Sequence, residues 1–212
     1  AASDVYKRQP GLTAKDGSYS KQEFIDLQRM GLEYGVRIIP EIDIPAHSLA
    51  FAHYKPEIAS RKYGMDHLDL YKKETYQFVD SLLDEYLSGD NPVFIGDLHI
   101  GTDEYNKKEA EQYRYFTDRY LKFVEKYGKN VRMWGGLKWL PGKTPVKAEG
   151  VTVNAWSYDW VDPVVSLQEG YKLINTCDTY LYIVPAAGYY RDFLDHQWIY
   201  EKWSPWICLL YT

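Results

Sequence analysis

The chain has 212 residues, of which 45% are hydrophobic, 26% charged and 17% aromatic. This composition supports one sizeable folded core and argues against a disordered chain or a disulfide-built scaffold. With 25 Lys and Arg against 30 Asp and Glu, the formal net charge is −5, and the absence of a basic stripe argues against a nucleic-acid partner. No apolar run reaches the roughly 18 residues that a membrane span needs, so no transmembrane helix is predicted.

Both ends of the chain are expected to come from outside the natural gene. Residues 4–9 (DVYKRQ) can be encoded by GATGTGTATAAGAGACAG, a transposase adapter used for sequencing libraries. Residues 208–212 (CLLYT) can be encoded by its reverse complement, read one base out of phase. We therefore expect residues 1–9 and 208–212 to be adapter-derived and residues 10–207 to be one piece of one domain. Cys177 is then the only native cysteine, so no internal disulfide is predicted.

Helical and strand-like segments alternate along residues 10–207. A capping-box pair, Ser20 and Glu23, opens the first helix, and Gly35 marks its end. The third helix keeps an aromatic face from Tyr113 to Tyr127. The predicted helices are residues 20–35, 73–87 and 113–127 with a short one starting at Pro163, and the predicted strands are residues 36–40, 93–96, 131–134, 151–154 and 171–175.

Strands that alternate with helices predict parallel βαβ units and therefore an α/β fold. Five strands fit either a doubly wound sheet or a slice of an eight-stranded TIM (β/α)8 barrel, and no Gly-rich phosphate loop follows any strand. The barrel is favoured because residues able to do chemistry recur at or after the strand ends, which meet at one mouth of a barrel. These residues are Asp43, His47, Asp103, Glu104, Trp134, Trp156 and Tyr182.

Asp103 and Glu104 form an adjacent carboxylate pair after the second predicted strand. An isolated Asp-Glu dipeptide usually belongs to a solvated loop, but the preceding residues are apolar and include Gly101, which permits close backbone approach. Two carboxylates in a semi-apolar mouth do not ionise independently, so one of them is expected to stay protonated. The pair therefore predicts general acid–base chemistry.

The aromatic residues at the later strand ends, Trp134, Trp156 and Tyr182, suit a sugar ligand. The C–H face of a sugar packs on an aromatic ring while its hydroxyls meet polar groups. Taken singly, a Trp at a strand end is more often ordinary core, and His47 or His99 alone would more often be structural. The joint placement of these residues predicts a pocket that is acidic at its centre and aromatic at its wall.

At two segments the sequence resembles a known family. Residues 99–104 (HIGTDE) resemble the His-x-Gly-x-Asp-Glu signature of glycoside hydrolase family 20, the β-N-acetylhexosaminidases. Residues 40–48 (PEIDIPAHS) resemble the segment that precedes this signature in the family. Residues 154–159 (NAWSYD) and 182–185 (YIVP) resemble the bacterial branch that contains dispersin-type and lacto-N-biosidase-type enzymes.

The resemblance implies a TIM barrel that removes terminal β-linked N-acetylhexosamine from glycans with retention of configuration, without a cofactor or a metal. Residues 10–207 would be part of such a catalytic barrel, covering about strands three to seven. In this family the substrate's own acetamide attacks the anomeric carbon, so no enzyme nucleophile is needed.

The resemblance also implies roles for individual residues. Glu104 would be the general acid and then the base, and Asp103 would hold and polarise the acetamide N–H. The supporting set would be Asp43 and His47, which tune the acid, His99 from the signature, Trp134 and Trp156, which line the acetamido pocket, and Tyr182, which donates a hydrogen bond to the acetamide oxygen.

The sequence departs from the family at several points. Thr102 and Ala46 stand where the family usually has glycine. The sugar-binding Arg and Asp of the family's first two strands and the Trp of its last strand have no counterpart in residues 10–207. Such a segment leaves two sheet edges open and the pocket incomplete, so we expect the isolated segment to be inactive.

Two other functions are compatible with parts of the pattern. One is a carbohydrate-binding barrel that has lost catalysis, although the intact Asp103 and Glu104 argue against it. The other is a metal-dependent hydrolase with Asp43, His47, His99 and Asp103 as ligands, although neither His-x-His nor His-Glu-x-x-His is present.

Overall fold

A computed structural model describes residue 12 and residues 17–207 of the chain. The expected adapter-derived residues, 1–9 and 208–212, lie outside the described residues. The helices are α1 Lys21–Glu33, α2 Leu49–Tyr54, α3 Lys73–Leu87, α4 Ala110–Glu125, α5 Pro163–Gln168, α6 Asp178–Leu181 and α7 His196–Lys202, with 3₁₀ turns at Pro56–Ile58 and Lys107–Glu109. The strands are β1 Glu41–Ile44, β2 Ala59–Ser60, β3 Gly64–Leu68, β4 Leu98–Gly101, β5 Val131–Trp134, β6 Val151–Ala155 and β7 Lys172–Asn175.

Five strands form one parallel sheet in the order β1-β4-β5-β6-β7, as predicted for an α/β fold. Along the chain, each new strand of this sheet is added beside the previous one and on the same side. A doubly wound sheet would reverse its strand order at a switch point, whereas a barrel adds strands in one direction. The strand order therefore identifies a partial α/β barrel and excludes the doubly wound alternative for the described sheet.

Several predicted elements are confirmed nearly to the residue. The Ser20 hydroxyl accepts a hydrogen bond from the Glu23 amide, and the Glu23 carboxylate accepts one from the Ser20 amide. The two bonds complete the capping box at the start of α1. Helix α3 begins and ends at the predicted residues, and α4 buries its aromatic face against the sheet. The Asp162 side chain caps α5, with Pro163 at its first position.

Two predicted strands were placed too early. The β-branched run at residues 36–40 precedes β1, and residues 93–96 precede β4 rather than forming a strand. Gln28 explains the second error, because its side-chain amide donates to the Val93 carbonyl at 2.7 Å and accepts from the Ile95 amide at 3.2 Å. The backbone hydrogen bonds of this segment are therefore made with a side chain of α1 instead of a neighbouring strand.

The core lies between the parallel sheet and helices α3 and α4. Its largest fully buried side chains on α4 are Tyr113, Phe116 and Tyr120. A short antiparallel hairpin, β2 with β3, was not predicted and packs beside the β1 end of the sheet. The Ser48 amide donates to the Asp66 carbonyl and the Leu68 amide to the Pro45 carbonyl, each at 2.8 Å, so the hairpin supports the loop that follows β1. Within the described residues, no helix has the length and apolar character that crossing a membrane requires.

Candidate active site

An open cavity of about 380 Å³ lies at the carboxyl end of the parallel sheet. Its volume is in the range of small-molecule sites, about 300–1,000 Å³. Seven of the eight predicted site residues line it, and His99 does not. The lining residues are Asp43, His47, Asp103, Glu104, Trp134, Trp156, Tyr182, Tyr189 and Tyr190.

Asp43 lies within β1, not after the first strand as predicted. Side chains alternate along a strand, so Glu41 and Asp43 share one face while the buried Ile42 and Ile44 occupy the other. Gly101, at the end of β4, lets the two strands come close at this point. A Cβ atom at position 101 would stand 1.7 Å from Asp43 Oδ1, so no larger residue fits without moving Asp43.

His47 joins the two predicted catalytic carboxylates. Its Nε2 lies 2.9 Å from Glu104 Oε2 and 3.3 Å from Asp103 Oδ2. Hydrogen bonds to Asp103 and Glu104 raise the pKa of His47 to about 11, so the ring is an imidazolium at neutral pH. The loop after β1 therefore places a fixed positive charge between the two carboxylates.

Asp43, outside the predicted carboxylate pair, carries a protonated carboxyl group at neutral pH. Burial, followed by the charge of Asp103, raises the pKa of Asp43 to about 8. Among the described residues, Asp43 Oδ1 and Asp103 Oδ1 are buried oxygens without a hydrogen-bond partner. Such atoms are costly to bury unless a ligand group or water satisfies them, so both mark the cavity floor as a place for a polar ligand.

A left-handed turn carries Asp103 and Glu104 into the cavity. The φ angles of Gly101, Thr102 and Glu104 are +70°, +75° and +48°, and that of His47 is +53°. Positive φ is uncommon outside glycine, and such strained residues concentrate at functional sites. Three of these four residues are not glycine, and two of them, His47 and Glu104, are in direct contact across the cavity.

His99 lies behind the cavity wall, where its ring contacts that of Trp134 with centroids 4.9 Å apart. Burial lowers its pKa to about 4, so the ring is neutral. The Gly101 amide donates to His99 Nδ1 at 3.1 Å, which leaves the proton on Nε2. His99 therefore supports the backbone that leads to Asp103 and is not part of an ion pair with Glu41.

The three predicted aromatic residues form part of the wall, and hydrogen bonds fix the two indoles. Trp134 donates its indole N–H to Glu41 Oε1 at 2.7 Å, and Trp156 donates to the Gly135 carbonyl at 2.9 Å. Tyr182 follows α6 and is half-buried, and burial raises the pKa of its hydroxyl, which therefore stays protonated. The wall thus offers two anchored indoles and one hydroxyl donor.

Three residues at the site were not singled out from the sequence. Glu41 lies two residues before Asp43, so strand alternation could have placed it on the same face. Tyr189 and Tyr190 belong to the loop after Tyr182, and the Tyr182 and Tyr190 rings lie 5.3 Å apart. This loop has no helical or strand periodicity, and nothing in its pattern distinguishes these two among the 21 tyrosines of the chain.

Three of the cavity residues are also grouped closely enough to hold a metal ion. Asp43, His47 and Asp103 offer ligand atoms that all lie within 4.8 Å of one another, but His99 is not part of this group. A metal needs a neutral imidazole nitrogen, and His47 Nε2 already contacts two carboxylates as part of an imidazolium. An ion at this place would therefore have to displace the proton of His47.

The chain is similar to curated proteins along most of its length. The family model described as "Glycosyl hydrolase family 20, catalytic domain" matches residues 2–199. A β-hexosaminidase of Arthroderma benhamiae is 29% identical over 189 residues, covering 74% of this chain and 31% of that protein. A lacto-N-biosidase of Bifidobacterium bifidum is 24% identical over 200 residues, covering 82% of this chain and 17% of that protein. The chain thus spans less than a third of the length of either relative.

The fold is shared with solved structures as well. A chitobiase of Flavobacterium johnsoniae matches with a TM-score of 0.68 at 23% identity, covering 84% of this chain and 32% of that one. The family match extends over nearly the whole chain, and the resemblance expected from residues 40–48 and 99–104 is confirmed. The chain belongs to glycosyl hydrolase family 20, whose catalytic-domain model matches residues 2–199.

Proposed function

We propose that the full-length protein hydrolyses terminal β-linked N-acetylhexosamine from glycans, with retention of configuration and with the substrate's own acetamide as nucleophile. The observation that carries this proposal is that Asp103 and Glu104 line the same cavity as Trp134, Trp156 and Tyr182. Family membership and the β-hexosaminidase relatives support the same reaction class.

In this proposal Glu104 is protonated when the substrate binds, and it gives that proton to the glycosidic oxygen as the bond to the anomeric carbon breaks. Its side chain is 45% exposed and lies at the open side of the cavity, where the leaving group departs. In the second step Glu104 takes a proton from water, which attacks the anomeric carbon and restores the original configuration. The proton that leaves with the aglycone is thereby recovered from water.

Asp103 receives the acetamide N–H, and its charge increases the electron density on the acetamide oxygen. That oxygen attacks the anomeric carbon and forms a cyclic oxazolinium ion, whose positive charge Asp103 stabilises. An intramolecular nucleophile of this kind can act with an effective molarity of about 10⁵–10⁸ M once it is oriented. The side chain of Asp103 is more buried than that of Glu104, 17% against 45% exposed, which fits a role in holding the reacting sugar.

The aromatic wall provides the remaining contacts. The indoles of Trp134 and Trp156 would line the pocket for the acetamide methyl group, and the Tyr182 hydroxyl would donate to the acetamide oxygen. The His47 imidazolium would balance the negative charge of Asp103, and Asp43, protonated at neutral pH, would add no further negative charge. Preorganised groups of this kind stabilise charge that develops during the reaction.

The test is hydrolysis of a chromogenic N-acetyl-β-glucosaminide and its galactosamine counterpart by the full-length protein, with the product anomer followed by NMR. Glu104→Gln should lose at least about 100-fold in kcat while sugar binding stays within about threefold. Glu149→Gln, at an exposed glutamate away from the cavity, is the matched control and should behave as wild type. Hydrolysis that survives Glu104→Gln would overturn the proposal.

Two other functions predict different results. A non-catalytic carbohydrate-binding barrel would bind the sugar without releasing chromophore from either substrate. A metal-dependent hydrolase using Asp43, His47 and Asp103 would lose activity after dialysis against a chelator and regain it with added metal. Under our proposal, chelation leaves kcat unchanged.

We also propose that residues 10–207 form only part of the barrel and that residues 1–9 and 208–212 are adapter-derived. In the described sheet, β1 and β7 each pair with one strand only, so both edges are open. We therefore expect the 212-residue chain alone to give no measurable turnover. Ordinary turnover by this chain would contradict the expectation.

A further inference from the structure

The turn that leads from β4 to the carboxylate pair contains an unusual residue for its conformation. Thr102 has φ +75° and is fully buried. A residue branched at Cβ adopts the left-handed region only under strain, and surrounding structure must hold it there. The interactions of Thr102 therefore identify what fixes the direction of the turn.

Thr102 has two hydrogen-bond contacts outside the turn: its hydroxyl lies 3.4 Å from the Trp134 carbonyl oxygen, and its own carbonyl accepts a shorter bond from Tyr113. This tyrosine lies on α4, is fully buried, and donates its hydroxyl hydrogen to the Thr102 carbonyl oxygen. The Thr102 hydroxyl itself donates to the Gly101 carbonyl at 2.5 Å, within the same turn. The hydrogen bond from Tyr113 thus connects the strained Thr102 to helix α4 of the core.

Gly136, in the loop after β5, makes room for this hydrogen bond. A Cβ atom at position 136 would stand 2.8 Å from the Tyr113 hydroxyl oxygen and 3.4 Å from the Thr102 carbonyl oxygen. The hydroxyl therefore occupies a slot between the loops that follow β4 and β5. Burial raises the pKa of Tyr113, so the hydroxyl remains a donor throughout the working pH range.

The carbonyl that Tyr113 holds belongs to the peptide bond joining Thr102 to Asp103. Because a peptide bond is planar, fixing this carbonyl also fixes the Asp103 amide and the direction in which Asp103 leaves the turn. We propose that Tyr113 is a positioning residue, which holds the strained Thr102 peptide so that Asp103 and Glu104 face the cavity. This inference rests on the proposed function and adds a residue that does not touch the substrate.

The test compares four variants of the full-length protein with wild type: Tyr113→Phe, Thr102→Gly, the double variant, and Tyr120→Phe. Tyr120 is the matched control, since it is a fully buried tyrosine on the same helix whose hydroxyl donates to the Tyr76 carbonyl, away from the cavity. Tyr113→Phe should lower kcat about 10- to 100-fold with KM changed less than about threefold, because small misplacements of catalytic groups reduce rates by such factors. Tyr120→Phe should leave kcat within about twofold.

Thr102→Gly separates positioning from general stability. Glycine adopts positive φ without strain, so the turn then needs less support, and the loss caused by Tyr113→Phe should shrink to less than about fivefold in the Thr102→Gly background. Wild-type kcat in Tyr113→Phe would overturn the inference. An equal loss in both backgrounds, or a loss no larger than that of Tyr120→Phe, would do the same.

A crystal structure of the Tyr113→Phe variant provides a readout that does not depend on turnover. The inference predicts that the Thr102 peptide rotates and the Asp103 carboxylate moves from its place beside His47. Unchanged positions of both would overturn it. Absence of turnover in wild type would instead reject the proposed function, and the crystal structure would still decide whether Tyr113 holds the turn.

Discussion

His47 and Glu104 are 57 residues apart in sequence, yet the imidazole Nε2 of one lies 2.9 Å from the carboxylate Oε2 of the other. Both residues have positive φ angles, so each loop is bent to bring its side chain to this contact. The pair links the loop after β1 with the turn after β4. It sets the charge balance of the cavity, because the imidazolium faces both Glu104 and Asp103.

The first prediction concerns the pH dependence of stability that His47 produces. Its folded-state pKa is raised from 6.5 to about 11, so its contribution is fully present below pH 6.5 and is lost as the pH rises towards 11. The melting temperature of wild type should therefore exceed that of His47→Gln most at about pH 6, and the difference should narrow by pH 10. His53→Gln, at an exposed histidine on α2, is the control. A difference that stays constant from pH 6 to pH 10 would reject the assignment of an imidazolium.

The second prediction concerns the close approach of β4 to β1. Gly101→Ala adds a Cβ atom 1.7 Å from Asp43 Oδ1 in a residue whose φ is +70°, so Asp43 must move. Gly150→Ala is the matched control, because its φ is +77° and nothing lies within 4 Å of the added atom. The control should lose only the roughly 1–2 kcal/mol of left-handed backbone strain.

Gly101→Ala should lose more unfolding free energy than this control, and its kcat should fall about 100-fold. The measurements are urea unfolding and turnover of the full-length protein. Equal losses in the two alanine variants would show that contact with Asp43 does not constrain position 101.

The third prediction concerns the hydrogen bonds by which Glu109 holds the β2–β3 hairpin. Glu109 Oε1 accepts from Lys62 Nζ at 2.7 Å and from the Tyr63 hydroxyl at 2.6 Å, and Oε2 accepts from the Tyr71 hydroxyl at 2.6 Å. These hydrogen bonds, that of Lys62 first, lower the pKa of Glu109 to about 2. Glu109→Gln should reduce the unfolding free energy at pH 6 by about 1–3 kcal/mol, since hydrogen bonds to a charged group are lost.

The sign of the pH dependence follows from the lowered pKa. Stability from Glu109 is present above its ordinary pKa of 4.5 and is lost as the pH falls towards 2. The difference between wild type and Glu109→Gln should therefore shrink below pH 4.5, whereas Glu169→Gln, at an exposed glutamate, should match wild type throughout. A difference that grows on acidification would contradict stabilisation by the ionised Glu109 side chain.

Much of the fold could be predicted because its signals are local. The aromatic spacing on α4 and the capping box at Ser20 depend on residues within one or a few helical turns. The early placement of two strands has the opposite origin, since strand limits depend on which distant groups provide hydrogen bonds. The His99 amide donates to the Pro40 carbonyl at 2.9 Å, so pairing at the first strand begins only where that run ends. β-propensity alone does not carry this information.

The candidate site divides in the same way. Residues Asp43, Asp103 and Glu104 were identified because barrel topology brings strand ends together and because their motifs resemble those of the family. The hydrogen bond from Trp134 to Glu41 joins residues 93 positions apart, and the hydrogen bond from Tyr113 to the Thr102 carbonyl joins α4 to the turn after β4. Neither follows from periodicity, because both depend on the three-dimensional register of the sheet and its helices.

The identity of the nucleophile is tested most directly with substrates that differ only in their N-acyl group. Fluorine atoms on the acetamide withdraw electron density from its oxygen without greatly changing its size. We predict that kcat/KM of the full-length protein falls steeply through the N-acetyl, N-fluoroacetyl, N-difluoroacetyl and N-trifluoroacetyl glucosaminides, by about 100-fold or more across the series. A value that stays constant across the series would mean that an enzyme group or water attacks instead, which would contradict the account.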